Sequence, residues 1–267
     1  MGADIKSLRT RIKSVDSTLH LTKAMGLVAS SKIRRATDAM LKGREYAAAV
    51  NEAVEQLTAS PECSASPYLA KREGARTRLI VIAGDRGLAG GYNANIFRLM
   101  RAYGDAEVTP IGKRACDRYG GELLYAEDFS YEDAKKMALD FCRDFAAGDY
   151  DRLGIVYTRY VSMMAQEAEI KWILPLSVSE NAEQSSIIFE PDEISVLNTV
   201  ISEYVAGLIV AYVKESFASE VAARRFAMDS AGKNAQEMID ELGLAYNRAR
   251  QSAITQEITE IVAGSGV

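Results

Sequence analysis

The chain has 267 residues, of which 48% are hydrophobic and 26% are charged, and its formal net charge is −5. This length can bury one large core or two ordinary ones, and the composition excludes disordered and fibrous classes. A single histidine, His20, and three scattered cysteines argue against a Cys/His zinc site, a histidine-based catalytic triad and a disulfide framework.

The prolines divide the chain into three parts. All five lie between Pro61 and Pro191, and proline costs a helix interior about 3 kcal/mol. The charges follow the same division, because 1–60 carries a net charge of +4 and 192–267 a net charge of −5. We therefore predict an N-terminal coiled-coil helix over 1–60, an α/β domain with flanking linkers over 61–191, and a C-terminal coiled-coil helix over 192–267.

The first segment carries a long apolar repeat. Sixteen residues from Ile5 to Leu57 alternate spacings of three and four, and only Thr22 among them is polar. A sustained 3.5-residue repeat keeps one seam facing a partner helix, which is the condition for a coiled coil. Gly26 lies in this seam, and we expect it to loosen the helix locally by up to about 1 kcal/mol relative to alanine.

The middle segment alternates short apolar runs with amphipathic stretches. Strands are predicted at Leu79–Ala83, Glu107–Ile111, Glu122–Tyr125, Leu153–Tyr157 and Ile170–Leu174, and helices at Ala94–Ala102, Lys113–Tyr119 and Tyr131–Ala146. This alternation predicts a small Rossmann-like domain with a mostly parallel sheet, between linkers at 59–76 and 177–192.

A glycine-rich turn, Gly84–Gly91, follows the first predicted strand. Its spacing matches neither a dinucleotide fingerprint nor a Walker A loop, so we interpret it as a tight turn with a close strand–helix approach. No catalytic, cofactor or metal constellation is evident elsewhere, which favours an interaction protein. Two alternatives stay open: a nucleotide-binding α/β enzyme with helical arms, and a nucleic-acid binder using the basic residues 1–44. The acidic total argues against the second.

The last segment carries two apolar series. The first runs from Leu197 to Ala211 and is interrupted at Glu215. The second runs through Met228, Ala231, Ala235, Met238, Leu242, Ala245 and Ala249, and ends on Ile254, Ile258, Ile261 and Val262. Both terminal seams are rich in small residues that allow a short interaxial distance, so we predict that the two terminal helices form one slender coiled coil. The alternative is an ordinary helical hairpin inside a bundle, but the middle segment is too α/β-like to supply further long helices.

Four motifs resemble those of the gamma subunit of the rotary F-type ATP synthase. They are LTKAMGLVASSKIRRA at 21–36, DRGLAGGYN at 85–93, SEVAARRFAM at 219–228 and YNRARQSAITQEITEIVAG at 246–264. The resemblance runs essentially from end to end, and it implies that the two terminal helices form an antiparallel coiled coil. It implies a central rotating shaft that couples proton-driven rotation of the membrane c ring to conformational change and ATP synthesis at the beta subunits.

The resemblance also implies partners and an absence of chemistry in the chain itself. The partners are the ring of alpha and beta subunits, the epsilon subunit and the c ring, with no nucleic acid. The chain would be a non-catalytic subunit with no cofactor, attached to the membrane only through the c ring. We see no run of about 18 apolar residues and no signal or transit peptide, so we expect no spanning helix and a place at the cytoplasmic face of a bacterial plasma membrane.

The same resemblance assigns contact residues one by one. Contacts to the beta subunits are expected from Met25, Lys32, Arg34, Arg35, Arg224, Gln251, Thr255 and Glu257. An apolar tip that turns in a sleeve at the top of the ring is expected from Ile254, Ile258, Ile261 and Val262. The three basic residues near Met25 suit an acidic partner by charge complementarity.

Overall fold

The structure is a computed structural model that describes residues 2–70, 72, 74, 76–177 and 189–264, without the side chains of 2–4. Two long helices, α1 (Gly2–Thr58) and α5 (Glu193–Gly264), enclose the rest in sequence. Between them lie β1 (Thr77–Ile82), α2 (Tyr92–Leu99), β2 (Glu107–Ile111), α3 (Lys113–Tyr119), α4 (Tyr131–Ala147), β3 (Arg152–Tyr160) and β4 (Gln166–Leu174). The predicted linker at 177–192 lies mostly outside the described residues.

Packing divides the chain into two compact units. One, the paired-helix unit, comprises Met1–Ser30 and Arg224–Val267. The other, the α/β unit, comprises Ser31–Ala223. Each unit therefore contains a part of α1 and a part of α5.

In the paired-helix unit, α1 and α5 run antiparallel. A Cβ added at Gly232 would lie 3.6 Å from the hydroxyl of Thr22, and one added at Gly26 would lie 3.6 Å from Cβ of Met228. Residue numbers therefore increase along α1 in the direction in which they decrease along α5, which is the predicted antiparallel arrangement. Thr22 is buried in this seam, and its hydroxyl donates to the Leu19 carbonyl of its own helix (3.0 Å). Its polar group is therefore satisfied.

Gly26 allows a close approach of the two helices. α1 continues through it without a break. A Cβ at this position would lie 3.0 Å from Nη1 of Arg225, which is tighter than ordinary contact. The missing side chain therefore leaves the space in which the Arg225 guanidinium lies.

The seam of α5 in this unit differs from the predicted one. Met238 and Ala245 are exposed, whereas Ile239 and Tyr246 are half-buried. The seam takes a four-residue step from Ala235 to Ile239 where the prediction took three. Apolar residues stand next to each other in this part of the sequence, and only the position of α1 decides which of them is covered.

In the α/β unit, the strands form one sheet in the order β2-β1-β3-β4. β1 is parallel to β2 and to β3, and β4 is antiparallel to β3, so the predicted, mostly parallel sheet is confirmed. The strand predicted at Glu122–Tyr125 is wrong. The Leu124 carbonyl accepts a hydrogen bond from the amide of Gly112 (2.7 Å), but the segment is not part of the described sheet.

The sheet is covered on both faces. Successive side chains of β1 point to opposite faces of the sheet, and over residues 79–82 those on both faces are apolar and buried. Ile80 and Ile82 face a large core that also contains residues of α1, α4 and α5. Leu79 and Val81 face a smaller core against Ile96 of α2. Two covered faces explain why this strand is a continuous apolar run.

Helix α5 is buried on more than its seam within the α/β unit. By length and composition alone, one 18-residue window of α5 could cross a membrane, because its mean hydropathy is 1.7. Half of that window is buried inside the protein. Residues outside the seam, such as Val205 and Ile209, belong to the core of the α/β unit. A core helix passes the same hydropathy test for this reason.

A buried carboxylate joins β3 to the chain that precedes β1. The Asp151 carboxylate accepts hydrogen bonds from the guanidinium of Arg76 (3.1 and 3.3 Å) and from its amide (3.1 Å). These bonds hold the pKa of Asp151 below its ordinary value of 3.8. A depressed pKa contributes stability that is present above the unfolded pKa and is lost as the pH falls through the folded pKa.

We expect Asp151→Asn to flatten the acid limb of the stability profile. The variant should melt at a lower temperature than the wild type at neutral pH, and the difference should shrink as the pH falls from about 5 to about 2.5. Thermal unfolding across this range measures it. Asp105→Asn, at an exposed carboxylate, should keep the wild-type profile. Equal slopes for Asp151→Asn and the wild type would contradict the assignment.

Candidate partner-binding surfaces

The glycine-rich turn is tied down by its own aspartate. The Asp85 carboxylate accepts the amide hydrogens of Lys113 (3.1 Å), Ala126 (3.0 Å) and Glu127 (3.0 Å). Lys113 is the first residue of α3. The Asp85 carboxylate therefore satisfies the first amide of α3, the helix that follows β2, and two amides of the segment after α3.

The crevice at the carboxyl ends of β1 and β3 is filled by α5. A Cβ added at Gly84 would lie 2.8 Å from the carboxylate carbon of Glu220, which is itself buried. The Ser216 hydroxyl lies 2.8 Å from that of Tyr92, and burial raises the pKa of this tyrosine. Because ligands of open α/β sheets bind at this crevice, its occupation argues against the alternative of a nucleotide-binding enzyme.

The remaining candidates for chemistry lie apart from one another. Cys63 and Cys142 are buried and Cys116 is half-buried, all as free thiols. His20 is exposed and lies 3.8 Å from Asp16 on the same helix. Within the described residues, no group of three or more His, Cys, Asp or Glu side chains is arranged to hold a metal ion.

Three of the predicted beta-contact residues lie in the α/β unit. Arg34 and Arg35 are exposed. Lys32 is half-buried and forms an ion pair with Glu127, in the segment between α3 and α4. This part of α1 thus presents two exposed guanidinium groups, together with an ammonium group already paired within the chain.

The other five lie in the paired-helix unit. Met25 and Arg224 are half-buried, whereas Gln251, Thr255 and Glu257 are exposed. The Thr255 hydroxyl donates to the carbonyl of Gln251 (3.0 Å), so it is satisfied by its own helix. The exposed residues share the last turns of α5.

The end of α5 carries an exposed apolar surface. Ala253 is the last half-buried residue of the seam, and every described residue after it is exposed. Ile254, Ile258, Ile261 and Val262, the predicted apolar tip, are 47%, 56%, 69% and 64% exposed. Four large apolar side chains within nine residues exceed the scattered exposure of an ordinary surface.

One surface of the paired-helix unit was missed by the sequence reasoning. A groove of about 450 Å³ runs between α1 and α5. It is lined by Leu19, Thr22, Lys23, Leu27, Arg225, Met228, Asp229, Gly232, Lys233 and Gln236. Gly232 follows the predicted seam residue Ala231, and a glycine beside an apolar seam was the available signal for such a groove.

Known proteins match the chain over its whole length. A family model described as ATP synthase matches residues 4–266. The ATP synthase gamma chain of Ruminococcus albus is 40% identical over 281 residues, which covers 98% of each chain. The chain belongs to the ATP synthase gamma chain family. The gamma chain of Geotalea uraniireducens, 36% identical, also covers 98% of each chain.

Solved structures share the fold of this gamma chain family member. A chain from the Euglena gracilis mitochondrial ATP synthase, in an assembly of OSCP, F1 and c-ring, matches with a TM-score of 0.71 at 19% identity. The match covers 100% of this chain and 97% of that one. A chain from the Tetrahymena thermophila mitochondrial central stalk and c-ring has a TM-score of 0.60 at 21% identity and covers 79% of this chain. The predicted α/β domain with long terminal helices is therefore the family fold.

Proposed function

We propose that the chain is the central rotating shaft of an F-type ATP synthase. The observation that carries the proposal is full-length membership of the gamma chain family, with paired terminal helices and an α/β unit whose ligand crevice is closed. In this proposal the segments 1–60 and 192–267 form the shaft and 61–191 forms its base. The chain contributes no catalytic residue and takes no cofactor.

The shaft acts by contacting three chemically equal beta subunits differently. Because a contact shifts a conformational balance only by its differential energy, an asymmetric shaft favours a different state in each subunit. Moving a subunit from 1:99 to 99:1 takes about 5.5 kcal/mol. Rotation by the c ring moves these contacts from one beta subunit to the next and so drives release of ATP.

The partners in this proposal are the alpha and beta subunits of the ring, the epsilon subunit and the c ring. The chain is a peripheral part of a membrane-bound complex, and bacterial relatives support a place at the cytoplasmic face of the plasma membrane. A gamma chain of Acetobacterium woodii named as sodium ion specific is 35% identical and covers 99% of each chain. The family therefore includes a member named for sodium ion.

The beta-contact residues keep the roles that the resemblance gave them. Arg34 and Arg35 are exposed and would meet acidic loops of beta, whereas Lys32 would have to exchange Glu127 for such a partner. Gln251, Thr255 and Glu257 would meet beta from the end of α5, and Met25 and Arg224 from half-buried positions beside the seam.

A cross-linking experiment tests the proposal. The chain is coexpressed with the alpha and beta subunits of its source, with Cys116→Ser in the background because that thiol is only half-buried. We expect the chain to copurify with the ring, to hydrolyse no ATP by itself, and to form a disulfide from Met25→Cys to a cysteine in the acidic loop of beta. Leu139→Cys, at an exposed position of α4, is the matched control and should not cross-link to this loop. The proposal would be refuted if the isolated chain hydrolysed ATP, or if the chain did not copurify with the ring of alpha and beta subunits.

The apolar tip gives a separate expected result. Replacing Ile254, Ile258, Ile261 and Val262 with serine should leave the stability of the isolated chain within about 0.5 kcal/mol, because all four are exposed. ATP synthesis by the complex should fall moderately, by about twofold to fivefold, since the lost apolar contact weakens how the end of the shaft is held. Deleting Ile258–Val267 should act in the same way.

The control for the tip is Leu244→Ser, an exposed apolar residue of α5 outside the proposed tip. It should leave both stability and synthesis unchanged. Synthesis at the wild-type rate with the fourfold variant would show that the tip carries no function.

A further inference from the structure

Strand β3 extends beyond its parallel neighbour. The last described pair between them joins Val81 of β1 to Val156, whereas β3 stays paired with β4 as far as Tyr160 and Gln166. The backbone groups of Thr158 and Tyr160 on the side of β1 therefore have no strand to bind. Buried backbone groups without a partner are rare, so their partners must come from elsewhere.

Side chains of the two long helices supply these partners. The amide of Thr158 donates to the Ser216 hydroxyl (3.2 Å), and its carbonyl accepts from the Ser219 hydroxyl (2.9 Å). The amide of Tyr160 donates to the Glu215 carboxylate (3.0 Å), and its carbonyl accepts from the guanidinium of Arg44 (2.6 Å). All four backbone groups are bound, two residues apart, as a neighbouring strand would bind them.

We name these four side chains the edge ladder: the ion pair of Arg44 and Glu215 binds the backbone of Tyr160, and Ser216 and Ser219 bind that of Thr158. The Arg44 side chain is 42% exposed, and the other three are buried. Both serines are fully buried, and the Glu215 side chain is 6% exposed. Arg44 donates to both oxygens of Glu215 (2.7 and 3.2 Å), and the hydrogen bond to this carboxylate raises the pKa of Arg44. Glu215, predicted as an interruption of the seam, thus joins Arg44 of α1 to the end of β3.

The edge ladder differs in kind from the helix contacts around it. A Cβ added at Gly43 would lie 3.3 Å from Cα of Ala211, so the helices meet nearby through small apolar groups. Apolar contacts have no fixed direction and allow neighbouring surfaces to slide. Hydrogen bonds to buried serines and to the buried Glu215 carboxylate fix one relative position, because sliding would leave these polar groups unpaired.

We propose that the edge ladder is the joint that transmits torque between the sheet and the helix pair of the α/β unit. Its members are positioning residues, which touch no nucleotide and act by keeping the sheet and both helices in one orientation under load. The inference rests on the proposed function, since only a rotating chain loads this joint. The same contacts in a static protein would serve stability alone.

The test compares coupling with assembly in the whole ATP synthase, reconstituted in vesicles. Glu215→Gln keeps the shape of the side chain but removes the ion pair, and the double variant Ser216→Ala with Ser219→Ala removes two rungs. For both we expect normal amounts of assembled complex and near-normal ATP hydrolysis, with a fall of about threefold or more in ions pumped per ATP. Hydrogen exchange at the amides of Thr158 and Tyr160 should be faster by about tenfold.

Arg159→Gln is the matched control. Arg159 lies on β3 between Thr158 and Tyr160, and its exposed guanidinium pairs with Glu167 and Glu169 outside the edge ladder. This variant should keep the wild-type pumping ratio and the wild-type exchange at both amides. Loss of coupling in Arg159→Gln as large as in Glu215→Gln would overturn the assignment.

The outcomes separate this inference from the proposed function. If the wild-type chain assembles and pumps but the edge-ladder variants keep its pumping ratio, the joint is wrong and the function stands. If the double serine variant cannot assemble, the edge ladder serves folding and the inference is again overturned. If the wild-type chain itself does not assemble with the ring, the proposed function fails first.

Discussion

Replacing Gly112 with alanine is expected to destabilise the α/β unit severely. Gly112 lies between β2 and α3 with φ at +91°, a conformation that side chains rarely adopt. A Cβ there would lie 1.9 Å from the carbonyl oxygen of Ala83, which belongs to the backbone and cannot rotate away. The Ala83 amide is held by the Ile111 carbonyl (2.9 Å), so the strand end cannot simply shift. We expect a loss of at least about 3 kcal/mol.

Thermal unfolding of the purified chain measures this loss. A destabilisation of this size should lower the midpoint by roughly 10 °C in a chain of this length. Gly104→Ala is the control, because Gly104 has φ of −60° and no atom within 4 Å of its added Cβ. The control should melt at or slightly above the wild-type temperature, since alanine restricts the unfolded chain more than glycine does. Equal midpoints for the two variants would contradict the argument.

Replacing Asp85 with alanine is expected to have the second largest effect. The change removes the acceptor of three backbone amides, at Lys113, Ala126 and Glu127, in a partly buried turn. Hydrogen bonds to a charged acceptor contribute about 1.5–3 kcal/mol each before water replaces some of them. We expect a net loss of about 3 kcal/mol, and a smaller loss for Asp85→Asn, which keeps one acceptor oxygen.

This experiment also distinguishes two roles for the glycine-rich turn. If Asp85 is structural, Asp85→Ala lowers the melting temperature and the exposed control Asp105→Ala does not. If the turn served a nucleotide, the variant would stay stable, and the wild type would bind ATP or NAD saturably. Measuring the melting temperature of the variants and the wild type with and without added nucleotide distinguishes the two roles.

The sequence predicted the elements whose signal is local. The repeat from Ile5 to Leu57 predicted α1, and every described member of it is buried or half-buried. The predicted bounds of α3 match the structure. The segment Glu122–Tyr125 has the apolar alternation of a strand, but it does not form the ladder of hydrogen bonds that would make it part of the described sheet. Apolar alternation alone does not show whether a segment has a neighbouring strand to pair with. The beta-contact residues stay predictions, because no partner subunit bears on them here.

The sequence by itself determined the two long terminal helices, the α/β class of the middle segment and, through four motifs, the family and the antiparallel helix pair that it implies. These features follow from the spacing of apolar residues, the positions of the prolines and four short motifs, all of which are local properties of the sequence. Only the tertiary structure decided that Glu215 binds Arg44 and the end of β3 instead of merely interrupting the apolar seam. It also decided that α5 closes the ligand crevice and that Ile239, not Met238, lies in the seam. The reason is that burial and hydrogen-bond partners are set by residues distant in the chain, as Arg44 and Tyr160 are from Glu215.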